Sequence, residues 1–223
     1  MKILIYEWNA YNYKDIEENL RALGHGVDVL KFHLDNYDED EEFHALLSEK
    51  IRSSTYDFVF TVNYFGVVAT VCHDIGIPYV SWTCDNPLIS MYHKSVFYDT
   101  NIIFTFDKTN EIEWKQAGLK NIFYLPLCGE PGRMKTVTDS APANKKAAYR
   151  ADLSFVGSLY ERNSYDALEP SLFDYERGYF DALIEAQKEL FNTYLIDRML
   201  TPDIVSSVGT HVDLIASSPD SFS

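Results

Sequence analysis

The chain has 223 residues, of which 46 % are hydrophobic and 24 % charged, an ordinary balance for a globular protein. Its formal net charge of −15 argues against nucleic acid backbones or anionic lipid surfaces as partners, because both would be repelled. The sequence lacks an apolar run of the roughly 18 residues that a membrane span needs. Its three cysteines have no metal or redox spacing, so we expect a cytoplasmic protein without a metal site.

Residues 1–127 alternate between short apolar runs and amphipathic stretches. Six apolar runs are predicted strands: Ile3–Tyr6, Val27–Phe32, Phe58–Val62, Tyr79–Trp82, Ile102–Phe106 and Ile122–Leu125. Between them, apolar residues recur at helical spacing, and Gly24, Gly76 and Gly118 stand where helices are expected to end. A further helix is predicted to begin at Pro87. This alternation with short connections predicts a Rossmann-like α/β domain, a parallel sheet with helices on both faces.

Residues 128–150 interrupt the alternation and are interpreted as an interdomain linker. They contain glycine, proline and alanine, and five basic residues against two acidic ones. Beyond them, Leu153–Val156 is predicted as one more buried strand, and Phe173–Met199 as a long helix with one apolar side. The tail from Thr201 onward is polar and rich in serine, and we expect it to be loosely ordered.

Ligands of an open parallel sheet bind outside the carboxyl ends of its strands. Neither a glycine-rich dinucleotide loop nor a phosphate loop follows a strand here, which argues against a nicotinamide or flavin cofactor. The residues at this edge are instead acids, amides and aromatics: Trp8, Asn9, Asn63, Tyr64, Trp82, Asp85, Asn86 and Asp107. Such a mixture suits a polyhydroxylated ligand, because carboxylates and amides bond hydroxyls and aromatic rings stack on sugars. The alternative is that Asp85 and Asn86 only cap the following helix.

Several segments in residues 1–160 carry a family resemblance in the same order. They are Ile5–Tyr11, Leu23–His25, Val62–Phe65, Val80–Pro87, Ile103–Asp107, Tyr124–Leu127 and Ser154–Tyr160. Together they resemble the N-terminal domain of the spore-maturation CgeB-like family, and the Ser-Trp-x-x-Asp-x-Pro segment Ser81–Pro87 is the most specific. Family members mostly have serine where this chain has Asn86.

The resemblance implies a predicted glycosyltransferase of the GT-B type, with two Rossmann-like domains and a cleft between them. Residues 1–127 would form the domain that holds a sugar or glycan acceptor. Residues 151–223 would be the truncated start of the domain that holds the nucleotide sugar, and Gly157 and Ser158 would lie on that donor side. We therefore expect this fragment to bind no cofactor itself and to be inactive alone.

Asp85 is the candidate general base, since it lies in the most specific segment, and Glu7 and Asp107 are its rivals at neighbouring strand ends. The runner-up to sugar transfer is a non-catalytic Rossmann-like module that binds a sugar or a protein. A third hypothesis is an interaction domain that uses the helix over 173–199 in a homodimer. We expect that helix to pack on the first domain or on a second copy of the chain, since its apolar side would otherwise be exposed.

Overall fold

The computed structural model of the chain describes residues 1–159, 161, 163–190 and 193–216, and it divides into two units between Ala148 and Tyr149. The first unit contains six strands: β1 (Lys2–Glu7), β2 (Gly26–Lys31), β3 (Phe58–Val62), β4 (Tyr79–Thr83), β5 (Asn101–Thr105) and β6 (Ile122–Tyr124). They form one parallel sheet in the order β2-β1-β3-β4-β5-β6. The predicted Rossmann-like α/β fold is confirmed.

Four helices connect the strands at the predicted places: α1 (Tyr13–Ala22), α2 (Glu41–Arg52), α3 (Gly66–Ile75) and α4 (Lys108–Gln116). The backbone turns left-handed just after three of them, at Gly24, Gly76 and Gly118, as expected for helix ends. The helix predicted from Pro87 is replaced by two 3₁₀ turns, Ile89–Tyr92 and Lys94–Phe97. The backbone of the intervening residue, His93, is extended, so the two turns cannot merge into one helix.

The sheet has an apolar core on each face. Because side chains alternate along a strand, Leu4 and Tyr6 of β1 pack on the side of α2 and α3, whereas Ile3 and Ile5 pack on the side of α1. Full burial of one such side chain stabilises the fold by roughly 1.5–3 kcal/mol. The helix that follows β1 therefore lies on one face of the sheet, and the helix that follows β3 lies on the other. In parallel sheets, this reversal opens a crevice at the carboxyl ends of the two adjacent strands.

The stretch interpreted as a linker is mostly helical. It contains α5 (Pro131–Ser140) and α6 (Ala143–Ala148), and the division between the two units follows α6 directly. Glu130 caps α5 by accepting a hydrogen bond from the backbone N–H of Gly132 at 2.9 Å. Arg133 of α5 donates two hydrogen bonds to the carboxylate of Asp15 in α1, at 2.7 and 2.6 Å. This bidentate pair fastens α5 to α1 within the first unit.

The strand predicted over Leu153–Val156 is not formed. Leu153 and Val156 are 93 % and 97 % exposed, and the segment is irregular. A buried parallel strand needs a neighbouring strand, and the described part of the second unit contains only helices and irregular chain. The prediction of a strand was therefore wrong.

The second unit contains α7 (Ser164–Leu168), a 3₁₀ turn (Glu169–Ser171), α8 (Asp174–Glu189), α9 (Ile196–Met199) and α10 (Pro202–Ala216). The single helix predicted over 173–199 is thus divided into α8 and α9, and residues 191 and 192 lie outside the described residues. Gln187 stabilises the break, because its amide donates to the carbonyls of Leu190 and Thr193 and accepts from the N–H of Leu195. How the second unit sits against the first, or against another copy, stays a prediction.

The expectation of a loosely ordered tail was wrong for residues 202–216, which form α10; residues 217–223 lie outside the described residues. A buried carboxylate joins α10 to α8. Glu176 accepts hydrogen bonds from the hydroxyl of Ser207 and, at 2.8 Å, from the backbone N–H of Phe173. The Nε2 atom of His211 lies 3.2 Å from the same carboxylate. The tail is therefore ordered by contacts that the polarity of the sequence does not reveal.

We expect the second unit to loosen in acid. The hydrogen bond from Ser207, followed by that from the Phe173 N–H and the nearby His211, lowers the pKa of Glu176 below its ordinary 4.5. A carboxyl group whose pKa is lower in the folded state stabilises that state above 4.5 and loses this effect as the pH falls through the folded pKa. Hydrogen-exchange protection factors for α8, corrected for intrinsic rates, should therefore decrease between about pH 6 and about pH 3. The variant Glu176→Gln has no carboxylate to protonate and should not show this decrease. A decrease that persists in this variant would contradict the assignment.

Candidate functional site

The carboxyl ends of β1 and β3 each carry an asparagine with left-handed backbone. Asn9 has φ +84° and Asn63 has φ +62°, values that are uncommon outside glycine. Asparagine tolerates this conformation better than most residues do, although it still carries a cost. Both residues lie at the reversal between β1 and β3, and such costs are concentrated at functional sites. This edge is therefore the part of the fold to inspect for a ligand site.

Asn63 is buried, with 3 % of its surface exposed, and both its amide nitrogen and its amide oxygen are hydrogen-bonded. Its Nδ2 donates to Oδ2 of Asp85 at 2.6 Å. Its Oδ1 accepts from the backbone N–H of Cys84 at 2.8 Å and from the Cys84 thiol at 3.4 Å. Burial, followed by the negative charge of Asp85, raises the pKa of this thiol to about 11, so it stays protonated. Asn63 thus ties the end of β3 to the loop after β4.

A buried hydroxyl pair supports the turn at Asn63. The hydroxyl of Thr61 donates to the carbonyl of Asn63, which leaves the hydroxyl of Tyr79 to donate to Thr61 Oγ1 at 2.7 Å. Tyr79 in turn accepts from the backbone N–H of Phe65 at 3.0 Å. Burial raises the pKa of Tyr79 well above its ordinary value, so its proton remains available for this network. The turn is therefore fixed from the core side, which makes the position of Asn63 rigid.

Asp85 is exposed and is held by one of its two carboxylate oxygens. Oδ2 accepts the hydrogen bond from Asn63, whereas Oδ1 has no hydrogen-bond partner among the described residues. The described part of the chain also places no cation within salt-bridge distance of this carboxylate. The following 3₁₀ turn begins after Leu88 and has no side-chain cap. The alternative role of Asp85 as a helix cap is therefore not observed.

The two rival acids at this edge have internal partners. Asp107 caps α4 through Oδ1, which accepts from the Thr109 N–H at 2.8 Å, and its Oδ2 accepts from Nδ2 of Asn86 at 2.8 Å. Glu7 pairs with the Lys31 ammonium at 2.9 Å. Asn86 is thus an internal donor to Asp107 rather than a helix cap. Both oxygens of Asp107 are therefore engaged, whereas Asp85 and Glu7 each keep one oxygen without a partner among the described residues, and of these two only Asp85 has no cation beside it.

Two tryptophans and one tyrosine bring aromatic rings to the edge. The indole N–H groups of Trp8 and Trp82 donate to the carbonyls of Val62 and Leu125, at 2.6 and 3.1 Å, so these side chains offer a ligand only their rings. Tyr11, which sequence reasoning did not select, is 79 % exposed. Partial burial, followed by electrostatic interaction with Cys84 and Asp85, raises the pKa of Tyr11. Its position in the loop after β1 was the only sequence signal for it.

Of the remaining predicted residues, Tyr64 does not join this edge site, and the other two belong to the second unit. Tyr64 is 1 % exposed, and its hydroxyl bonds to Ser95 at 2.7 Å, so its ring belongs to the core and presents no face to a ligand. The left-handed turn at Asn63 directs the next side chain inwards. Gly157 and Ser158 lie in the second unit, in the irregular segment that replaces the predicted strand. Their role on the donor side stays a prediction.

An open recess of about 450 Å³ adjoins the site at the carboxyl ends of β1 and β2. Trp8 and Asn9 line it, together with the Glu7–Lys31 pair. Asp85 and Asn86 lie outside this recess, on the exposed surface beyond β3. The predicted site residues therefore form a shallow surface beside a recess and not one enclosed pocket.

The fold and this edge together define an α/β protein with a doubly wound parallel sheet and an acid–amide cluster at its carboxyl edge. No three His, Cys, Asp or Glu side chains of the described residues are grouped as metal ligands. Every described helix is too short or too polar to cross a membrane. No protein-family model matches the chain, and no curated protein sequence matches it either.

Proposed function

We propose that this chain is the acceptor-side part of a glycosyltransferase, in which Asp85 removes the proton from an acceptor hydroxyl. The observation that carries the proposal is the free Oδ1 of Asp85, on an exposed carboxylate whose other oxygen is held by the buried Asn63. Exposed rings beside a carboxylate are a suitable surface for a sugar.

The proposed reaction forms a bond between the acceptor oxygen and the anomeric carbon of a nucleotide sugar. The nucleoside diphosphate leaves with the electron pair of the broken bond, and Asp85 takes the hydroxyl proton. The geometry required is a heavy-atom distance of about 3 Å between Oδ1 and the acceptor oxygen. The donor would be bound by the second domain, so the nucleotide sugar is a substrate of the full-length protein in this proposal.

The test is acceptor-dependent release of nucleoside diphosphate by the full-length protein, with UDP-, GDP- and dTDP-sugars as donors and a panel of glycosides as acceptors. We expect release with at least one pair. Calorimetry on the present chain should show no nucleotide sugar bound more tightly than about millimolar, near 4 kcal/mol. A micromolar constant would mean that the donor site lies within these residues. Sugar binding without any release would favour the non-catalytic binding module.

A further inference from the structure

The chain itself occupies both indole donors of the edge site and one N–H of each of two amides. The indole N–H groups of Trp8 and Trp82 are bonded to backbone carbonyls. The amide nitrogens of Asn63 and Asn86 are bonded to carboxylates at 2.6 and 2.8 Å. A ligand would have to break an internal hydrogen bond to receive a proton from either indole, and breaking such a bond leaves its partner unsatisfied, whereas each amide keeps a second N–H.

One of the groups that remain free for a ligand can only accept hydrogen bonds. Oδ1 of Asp85 accepts only, while the exposed Asn9 and Tyr11 carry groups that both donate and accept. One neighbouring cation is already paired. The ammonium of Lys31 is paired with Glu7 at 2.9 Å.

Lys108 lies at the start of α4, about one helical turn before Glu111. After the hydrogen bond from Lys115, which is the largest cause, the charge of Lys108 contributes to lowering the pKa of Glu111. A helix start attracts anions to some degree. Among the described residues of this edge, however, no arginine offers a guanidinium group that could bind a carboxylate or phosphate through two hydrogen bonds.

From this inventory we infer that the edge site selects a polyhydroxylated ring that is uncharged or cationic, an amino sugar above all, and rejects phosphorylated sugars. An ammonium or a hydroxyl can donate to Oδ1 of Asp85 while the ring lies against Tyr11. A phosphate only accepts hydrogen bonds near neutral pH and would be repelled by the same carboxylate. The inference rests on the proposed function only in treating this edge as a sugar site, and it names the class of acceptor that the site takes.

The experiment is an NMR titration of the full ¹⁵N-labelled chain at pH 7 and low salt with glucosamine, glucose and glucose 6-phosphate. We expect glucosamine and glucose to perturb the amides of residues 7–12, 63 and 84–86. Glucosamine should bind about two- to fivefold more tightly than glucose, the ratio expected for one exposed ion pair. Glucose 6-phosphate should leave these amides unchanged over the same concentration range.

Two variants that each remove one negative charge show whether the preference comes from the edge site or from the net charge. Asp85→Asn should remove the preference for glucosamine and reduce the discrimination against the phosphate. Asp99→Asn changes the same charge on an exposed aspartate of the first unit, on the amino side of β5, and should leave the order of the three sugars unchanged. Loss of the preference in both variants would mean that net charge and not the edge site selects the ligand.

Glucose 6-phosphate binding at these amides as strongly as glucose would overturn the inference, and so would the absence of shifts with all three sugars. The inference and the proposed function fail separately. Selective binding without nucleoside diphosphate release would leave the inference standing and refute transfer. Transfer to a phosphorylated acceptor would support the proposed function and refute the inference.

Discussion

Asp85→Asn is expected to lower sugar transfer by the full-length protein by roughly two to four orders of magnitude, the usual loss when a general base is removed. The fold should be nearly unaffected. An asparagine at this position still offers an amide oxygen to Nδ2 of Asn63, so the hydrogen bond at 2.6 Å in the wild type can be kept. The measurement is turnover at saturating donor and acceptor, together with the urea midpoint of the same protein.

Asp99→Asn is the matched control for this change, because it removes one carboxylate from the same unit outside the edge site. It should leave turnover within about twofold of the wild type, since surface charges away from the reacting atoms contribute little. Normal turnover for Asp85→Asn would remove Asp85 from catalysis. A large fall in the urea midpoint would instead mean that the carboxylate is structural.

Much of the first unit could be predicted from apolar runs alone. Both predicted ends of the strand Phe58–Val62 match the structure, because a strand buried on both faces is mostly apolar and is bounded by polar residues. The same reasoning failed at Leu153–Val156, where the run is apolar but no neighbouring strand is present among the described residues. Whether a short apolar run becomes a strand depends on a hydrogen-bonding neighbour, which a local pattern does not reveal.

The breaks and contacts of the second unit depend on single polar side chains. The apolar spacing predicted that the helix continues past Gln187, but the amide of that residue satisfies backbone groups of a turn. Likewise, α10 is joined to α8 through Glu176 and Ser207, which the sequence shows only as two ordinary polar residues. Long-range polar pairing of this kind has no periodicity and cannot be found by counting apolar positions.

The edge residues lie beyond the strand ends, as predicted, but their internal hydrogen bonds were not foreseen, and their roles in ligand binding stay predictions. Asn63 and Asn86 were predicted to bind a ligand, and the structure shows their amides bonded to Asp85 and Asp107. Which polar groups pair internally depends on the register between β3, β4 and β5. The exposed Tyr11 was missed because one of many tyrosines has no distinctive sequence signal.

Asn63 is expected to act as a positioning residue, and replacing it should change both stability and turnover. Asn63→Ala removes the acceptor for the Cys84 N–H and places alanine at φ +62°. We expect a loss of roughly 2 kcal/mol, about half from the left-handed backbone and half from the lost hydrogen bond. Asn63→Gly keeps the backbone conformation without strain and should recover about 1 kcal/mol of this in urea unfolding. Equal stability of the two variants would contradict the backbone contribution.

A variant that keeps the fold separates positioning from stability. Asn63→Asp tolerates the left-handed backbone and still offers an oxygen to the Cys84 N–H, but it places a second carboxylate against Asp85 in place of the donor now at 2.6 Å. Two carboxylates this close share a proton, so the apparent pKa of the pair rises and the base is protonated at a higher pH. The acidic limb of the pH–turnover profile should therefore move upwards in Asn63→Asp. The matched change Asn121→Asp, at a half-buried asparagine between α4 and β6 outside the edge site, should leave that limb in place. A merely structural role for Asn63 predicts lower stability with an unmoved profile, and that result would sink the assignment of Asn63 as the residue that positions Asp85.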